Sequence, residues 1–491
     1  MKKHLLTFIV FSSGALVMIL ELLASRLFAP YLGTSLPVWS ALIAVILGCL
    51  SLGYWYGGKL ADRGANWKVF SWFFFIASAL VLITLFAETG VLGFLSHLSS
   101  NIYLTSIVAA IVLFGPVGVI LGFVSPYAVR LRLTQLNESG QTVGNLYAWS
   151  TLGSIVGTLS AGFLLLPSLG HKQLLWLCVV SLFFLGFAAY FMDAWKKTLL
   201  AFLACICLAV WGSFIITFFK DQSVWDFDTQ YNRILIDDSL IYQGRPVRLW
   251  KTDYQTAQSA MFLDDPIELV HDYTKYYDLF LDFKPDTQNA LMIGGAAFSY
   301  PKYFLANYPD KKIDVVEIDG AAVQIAEQYF HLDPHHPNLQ IFVADARPFL
   351  NQNKKKYDSI FIDAFAANAT IPYQLTTLEF VRSVFASLQD DGAVIVNIIS
   401  PLIGEKNKLL RSLYKIYATV FPKIYLFQMN KKYPQEQTQN IILVADKSLE
   451  PDSRNLSFWE NEYSEPLDLT DLPLLTDNYA PSDYYALNIF D

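Results

Sequence analysis

The first 220 residues contain seven apolar runs, near 5–27, 37–59, 69–90, 103–125, 143–166, 173–193 and 198–219, each close to the 20 or so residues that a membrane-spanning helix needs. In hydrocarbon a backbone must satisfy its own N–H and C=O groups, so runs of this length and number dictate helices. The pattern stops near residue 220. Beyond it charged residues are dense and apolar residues come in short bursts, as in a water-exposed fold. Charge divides at the same place: residues 1–220 hold 12 of the 35 Lys and Arg and 5 of the 43 Asp and Glu, which leaves +7 in front and −15 behind. An acidic soluble part argues against nucleic acid as a partner, since phosphate binding needs the opposite sign, and it suits a cationic substrate.

Lys2 and Lys3 precede the first run as in a signal peptide, but the run is longer than a typical signal core and six more follow, so it is expected to be retained. Lys2, Lys3, Lys59, Arg63, Lys68, Arg130, Arg132, Lys196 and Lys197 share one side of the bilayer when the amino terminus is cytoplasmic. Seven spans would then carry the soluble part outside; six would leave it inside. The run 198–219 has weak flanking signals and is the candidate for an interfacial or re-entrant helix. The expectation is a multi-pass protein of the cell (inner) membrane, six or seven helices in the lipid bilayer, with its soluble part cytoplasmic. Within the first run, Glu21 is expensive in lipid unless paired or facing a cavity, and Arg26 suits an interfacial anchor. Cys49, Cys178, Cys205 and Cys207 all fall in apolar runs, so no disulfide framework or Cys-based metal site is expected.

Residues 221–287 show strand-like pieces at 231–236, 247–250 and 259–263 between polar turns, which predicts a small antiparallel β subdomain with a connecting helix. In residues 288–491, strands near 289–294, 313–318, 339–344, 358–363, 393–399, 423–428 and 439–445 alternate with helical patterns such as 321–330 and 378–388. That alternation predicts a doubly wound α/β domain, whose ligands bind at the carboxyl edge of the strands. At that edge the sequence places a Gly294-Gly295 turn, then Glu317 about 20 residues on, then Asp345 and Asp363, each ending a β-branched run. Gly lets the backbone approach a ligand, and carboxylates at this spacing can accept from ribose hydroxyls and an adenine amino group. His335-His336, beside prolines, reads as a solvated turn and not a metal site.

These residues resemble the spermidine synthases, the polyamine aminopropyltransferase family. The resemblance covers 228 to about 430 and rests on Asp314-Val-Val-Glu-Ile-Asp319, Ala326-Glu-Gln-Tyr-Phe330, Ala344-Asp-Ala-Arg347, Tyr357-Asp-Ser-Ile-Phe-Ile-Asp363, Leu375-Thr-Thr-Leu-Glu-Phe380 and Leu475-Thr-Asp-Asn-Tyr-Ala-Pro481. The whole chain resembles bacterial forms in which such a domain follows a major-facilitator-like membrane region, whose short loop 57–63 resembles. The resemblance implies a class I S-adenosylmethionine-dependent methyltransferase-like Rossmann domain. Its co-substrate would be decarboxylated S-adenosylmethionine or S-adenosylmethionine, its acceptor a small amine, with no metal and with a homodimer formed through the soluble domain. It also implies that Glu317 holds ribose, that Asp345 of the Asp345-Ala346 pair contacts adenine beside Gly294 and Gly295, and that Asp363 helps to deprotonate the attacking amine. Tyr276 and Asp278, in Tyr276-Tyr-Asp278, resemble a substrate-lining Tyr-x-Glu, and Asn232 lies where the family has a cofactor-contacting Gln.

Two amine-holding carboxylates of the family are replaced, by Ala297 after the glycine turn and by Ala366 after the fourth strand. Aminopropyl transfer to an amine therefore stands beside two alternatives, a methyltransferase acting on a small or lipidic acceptor and a nucleotide-sensing domain on a transporter-like membrane region. Retained Asp363 favours chemistry.

Overall fold

The structure, a computed structural model, describes residues 2–33, 35–98, 101–133, 139–166, 169–191, 224–252, 257–365, 370–429, 431–448, 451 and 454–486. The chain divides into two compact units, Met1–Gln222 and Ser223–Asp491.

In the first unit, α1 (Lys2–Leu32), α2 (Leu36–Asp62), α3 (Trp67–Leu98), α7 (Ser139–Ser160, continuing to Leu165) and the helix His171–Phe191 are each long and apolar enough to span a bilayer. Between α3 and α7, α4 (Ile102–Leu113) meets α5 (Gly115–Gly122) and α6 (Val124–Arg132) at 51°, a bent pair with the form of a broken span or a re-entrant loop, which makes five spans or six among the described residues. Pro116 at the start of α5 explains the break, because its ring displaces the preceding turn and it lacks an N–H. The multi-pass architecture follows from these helices, which coincide with the first six apolar runs; the run 198–219 lies outside the described residues. α1 and α7 pack backbone to backbone: a Cβ on Gly153 or Gly157 would run into the backbone of Phe11 or Ala15. The stretch expected as a loop at 57–63 is mostly the last turns of α2, which ends at Asp62 and presents Gly57 to the backbone of Phe123.

The second unit opens with an antiparallel sheet of β1 (Val224–Asp228), β2 (Arg233–Tyr242), β3 (Arg245–Lys251) and β4 (Ser259–Phe262), in that order. β1 was not among the expected strands. It is a short edge strand, pinned where Arg233 makes a two-pronged bond to Asp226 across the hairpin.

Seven further strands form one mixed sheet in the order β10-β11-β9-β8-β5-β6-β7. They are β5 (Asn289–Ile293), β6 (Lys312–Glu317), β7 (Leu339–Val343), β8 (Tyr357–Ile362), β9 (Leu388–Ser400), β10 (Lys423–Gln428) and β11 (Gln439–Asp446). β5 to β9 run parallel, while β11 is antiparallel to both β9 and β10. The chain winds outward from β5 through β6 to β7, then returns to β8 on the other side of β5. This reversal opens a crevice at the carboxyl end of β5, the place where such Rossmann-type sheets bind ligands. The strand interiors are apolar on both faces, as parallel strands covered by helices require. One face centres on Phe361 of β8, wholly buried with its ring 5.0 Å from Tyr300 and 5.7 Å from Tyr277.

Candidate active site

Gly294 follows β5 with φ +93°, a left-handed conformation, and a Cβ there would collide with the carbonyl of Asp363. Only glycine lets the ends of β5 and β8 come this close. The turn continues through Ala296 and Phe298, both left-handed at φ +44° and +54°, a strained conformation for residues with side chains. Glu317, at the end of β6 and 8% exposed, holds this turn. Its Oε2 accepts from the N–H of Gly295 at 2.7 Å and of Ala296 at 3.2 Å, and its Oε1 accepts from the N–H of Asp319 at 3.0 Å. Burial pushes the Glu317 carboxyl above its ordinary value, and the three backbone donors oppose that rise.

Asp345 caps the helix Ala346–Gln352, accepting from the N–H of Arg347 at 2.8 Å. The capping pulls Ala346 inward, where it is buried against the sheet beside Leu350 and Val316. Asn232 closes the β1–β2 turn, its backbone bonded to Thr229, whose hydroxyl reaches Asp319 beside Glu317. Gly294, Gly295, Glu317 and Asp345 thus lie at the carboxyl ends of β5, β6 and β7, and the Asn232 turn of the small sheet is tied to Asp319 through Thr229.

Asp363 extends β8 by one residue, its N–H donating to the carbonyl of Ile293 at 2.9 Å. Asn397 Nδ2 donates to its Oδ1 at 3.0 Å and the Tyr273 hydroxyl to its Oδ2 at 3.2 Å. Tyr277, wholly buried, faces it as well, its hydroxyl lacking a partner of hydrogen-bond geometry. Burial raises the Asp363 carboxyl, against the opposing donors, while burial and the Asp363 charge push both tyrosines well above their ordinary value, so they stay neutral. Among the described residues no Lys or Arg pairs with Asp363.

Tyr276 and Asp278 are engaged elsewhere. The Tyr276 hydroxyl accepts from Asn461 Nδ2 at 3.0 Å and its ring packs on Phe458; both Asp278 oxygens accept from tyrosine hydroxyls, Tyr300 at 3.1 Å and Tyr303 at 2.9 Å. The segment Asp272–Phe283 is helical, so Tyr273 and Tyr277, four residues apart, share the face turned to Asp363. That face, and Asn397, went unread in the sequence. The signal for Asn397 was present: it is the one polar residue in the apolar stretch 393–399 of a strand buried on both faces. Ala297 is wholly buried in an apolar cluster with Trp250, Ala322 and Ile325, and Ala366 lies outside the described residues. In the 331–338 turn, His336 Nδ1 accepts from the Asn338 N–H; among the described residues no three His, Cys, Asp or Glu side chains converge to hold a metal.

Residues 279–449 match the family model of the spermine/spermidine synthase domain. The chain carries a spermidine synthase family domain. "Polyamine aminopropyltransferase" of Vibrio vulnificus (strain CMCP6) is 34% identical over 170 residues, 34% of this chain and 53% of that protein, so the matched stretch spans about half of that relative's length. "Polyamine aminopropyltransferase 1" of Streptomyces coelicolor is 23% identical over 434 residues, 82% of this chain and 77% of that protein. "N-terminal histidine N-methyltransferase" of Emericella nidulans is 35% identical over 114 residues, 22% of this chain and 19% of that protein. Among solved structures, a spermidine synthase in complex with the transition-state analogue AdoDATO aligns with 54% of this chain and 85% of that chain, at 18% identity and a TM-score of 0.38. The spermidine synthase family domain takes in every strand of the mixed sheet.

Proposed function

We propose that this protein is a membrane-embedded transferase that binds an S-adenosyl nucleoside at the carboxyl edge of β5 to β7 and passes an aminopropyl group from its decarboxylated form to an amine held at Asp363. The observation that carries this reading is the state of Asp363: a part-buried carboxylate, next to the Gly294 turn, met by Tyr273, Tyr277 and Asn397 and by no cation among the described residues. Withdrawing a carboxylate from water without a cation is costly, and an amine substrate supplies the missing partner.

In this reading Gly294, Gly295 and Glu317 receive the ribose, Asp345 with Ala346 the adenine, and Asn232 closes over the nucleotide from the small sheet. The amine must be neutral to attack. Its lone pair forms the new C–N bond as the C–S bond breaks, the sulfur keeps that electron pair, the product nitrogen stays a secondary ammonium, and the lone pair itself is freed when the bound ammonium gives one proton to Asp363. A carboxyl raised by burial is a stronger base than an ordinary one, which suits that last step. Tyr276 and Asp278 support the pocket wall. With Ala297 and Ala366 in place of carboxylates, the reading favours an acceptor that presents one amine over a polyamine with several. The family's co-substrate is cytoplasmic, which favours a soluble unit on that side, and the reading includes a homodimer formed through that unit.

The test is a product assay on the full-length protein in detergent, supplied with decarboxylated S-adenosylmethionine and a panel of monoamines, putrescine and spermidine. Amine-dependent release of methylthioadenosine is expected, and its absence with every amine rejects aminopropyl transfer. Methyl transfer is the second reading, supported by the relative named as an N-methyltransferase. Release of S-adenosylhomocysteine from S-adenosylmethionine would put it first.

A further inference from the structure

We propose that Asn440 and Asn397 form a two-amide relay that aims Asp363 and holds it ionised, with Asn440 acting on the site from the antiparallel strand β11. Asn397 Nδ2 donates to Asp363 Oδ1 at 3.0 Å, and Asn440 Nδ2 donates to Asn397 Oδ1 at 3.0 Å. The orientation of both amides follows from chemistry. An ionised carboxylate only accepts, so the Asn397 nitrogen must face Asp363; its oxygen then faces Asn440, which must donate.

Burial makes the arrangement consequential. Asn397 is 2% exposed within an apolar strand, and an amide so placed recovers its lost hydration only when both ends are bonded. The ladder makes it possible: β11 enters the sheet antiparallel to β9, so its second residue, Asn440, sits opposite Ile399 and on the same face as Asn397. Among the described residues the other titratable groups set against Asp363 are Tyr273 and Tyr277, both kept neutral by burial. With no cation among the described residues, the proton affinity of Asp363 answers to these neutral donors. Asn397 and Asn440 are positioning residues, the second working only through the first.

The inference uses the proposed function only for one of its readouts. Asn440→Leu removes the outer anchor, whereas Asn440→Asp puts an acceptor where a donor stood, so that Asn397 turns its nitrogen outward and its oxygen toward Asp363. The direct readout is an infrared pH titration of the full-length protein, following the carboxyl band that Asp363→Asn deletes. The midpoint is expected to rise in Asn440→Leu and to rise further, by about one pH unit or more, in Asn440→Asp. The acid limb of kcat/KM for amine transfer should move with it. A merely structural amide would lower the thermal denaturation midpoint and leave the titration where it was. In an Asn397→Ala background the two Asn440 variants should titrate alike, and a shift that persists there would mean that charge acts directly through space, which overturns the relay. An unmoved midpoint in Asn440→Leu or Asn440→Asp also overturns it. A wild type that transfers nothing, but whose infrared midpoint still answers to Asn440, overturns the proposed function and leaves the relay standing.

Discussion

The ends of β6 and β8 each present a carboxylate to the same crevice, Glu317 buried and Asp363 half-buried, and they are held in opposite ways. Glu317 is gripped by three backbone N–H groups, Asp363 by side chains alone. A carboxylate bonded to backbone becomes part of the chain's path: Glu317 fixes a turn that includes the left-handed Ala296 and Phe298. A carboxylate bonded to side chains can change partners without refolding anything. The first arrangement suits holding a ligand in a fixed place, the second suits receiving and releasing a proton.

The largest expected effect tests the β8 side. Asp363→Asn keeps the size and the place of the side chain, so turnover should fall by roughly 100-fold or more while nucleotide affinity, read by calorimetry, stays within a few-fold. Equal losses in both would erase the contrast. On the β6 side, Glu317→Gln should do the reverse, weakening nucleotide binding by about 1.5–3 kcal/mol and lowering the denaturation midpoint, because a neutral amide cannot accept from three N–H groups. A smaller effect is expected from Tyr273→Phe, which removes one donor from Asp363: about 1 kcal/mol in kcat/KM, with the acid limb of the pH profile displaced upward.

The pH dependence of stability sharpens the same contrast. The folded Asp363 carboxyl is raised above its unfolded value, so the folded chain binds the more protons across the interval between the two. Its stabilising share is full below the ordinary carboxylate value and is lost as pH rises through the raised one. The wild type should therefore lose stability relative to Asp363→Asn across that interval, and parallel denaturation curves would contradict it. The smallest expected effect is Asn232→Ala, at about 0.5 kcal/mol or less in nucleotide binding, since that turn is held through its backbone.

Much of this could be read in the sequence wherever a pattern depended only on local chemistry. The first six apolar runs became helices, five of them long enough to span a bilayer and the fourth a bent pair, and β5 to β11 fell on the β-branched runs, because strands buried on both faces must be apolar throughout. Glu317, Asp345 and Asp363 were visible as acidic residues ending such runs. What was not visible depended on contacts between distant segments. β1 is only five residues long and follows closely on a long apolar run, so its Val224, Trp225 and Phe227 do not stand out, and its pairing with β2 becomes plain only in the structure, where Arg233 and Asp226 meet across the hairpin. Tyr273 and Tyr277 could not be told from Tyr276 until the helical turn of 272–283 set which face meets β8. Asn440 acquires a role only through the register that lays it beside Asn397.

The antiparallel insertion of β11 has a further consequence for how such a protein can diverge. A parallel neighbour of β9 would offer the crevice its trailing end, followed at once by a crossover helix that the core constrains. β11 offers its leading end instead, reached from β10 by a hairpin loop with Lys431, Lys432, Tyr433 and Pro434 at or near the surface. Length and sequence in that loop can change without disturbing β5, β6 or β7. In the proposed reading, the loop between β10 and β11 is thus the part of the crevice rim where change costs the fold least, whereas the ends of β5 and β8, locked together at Gly294 and Asp363, must change in concert.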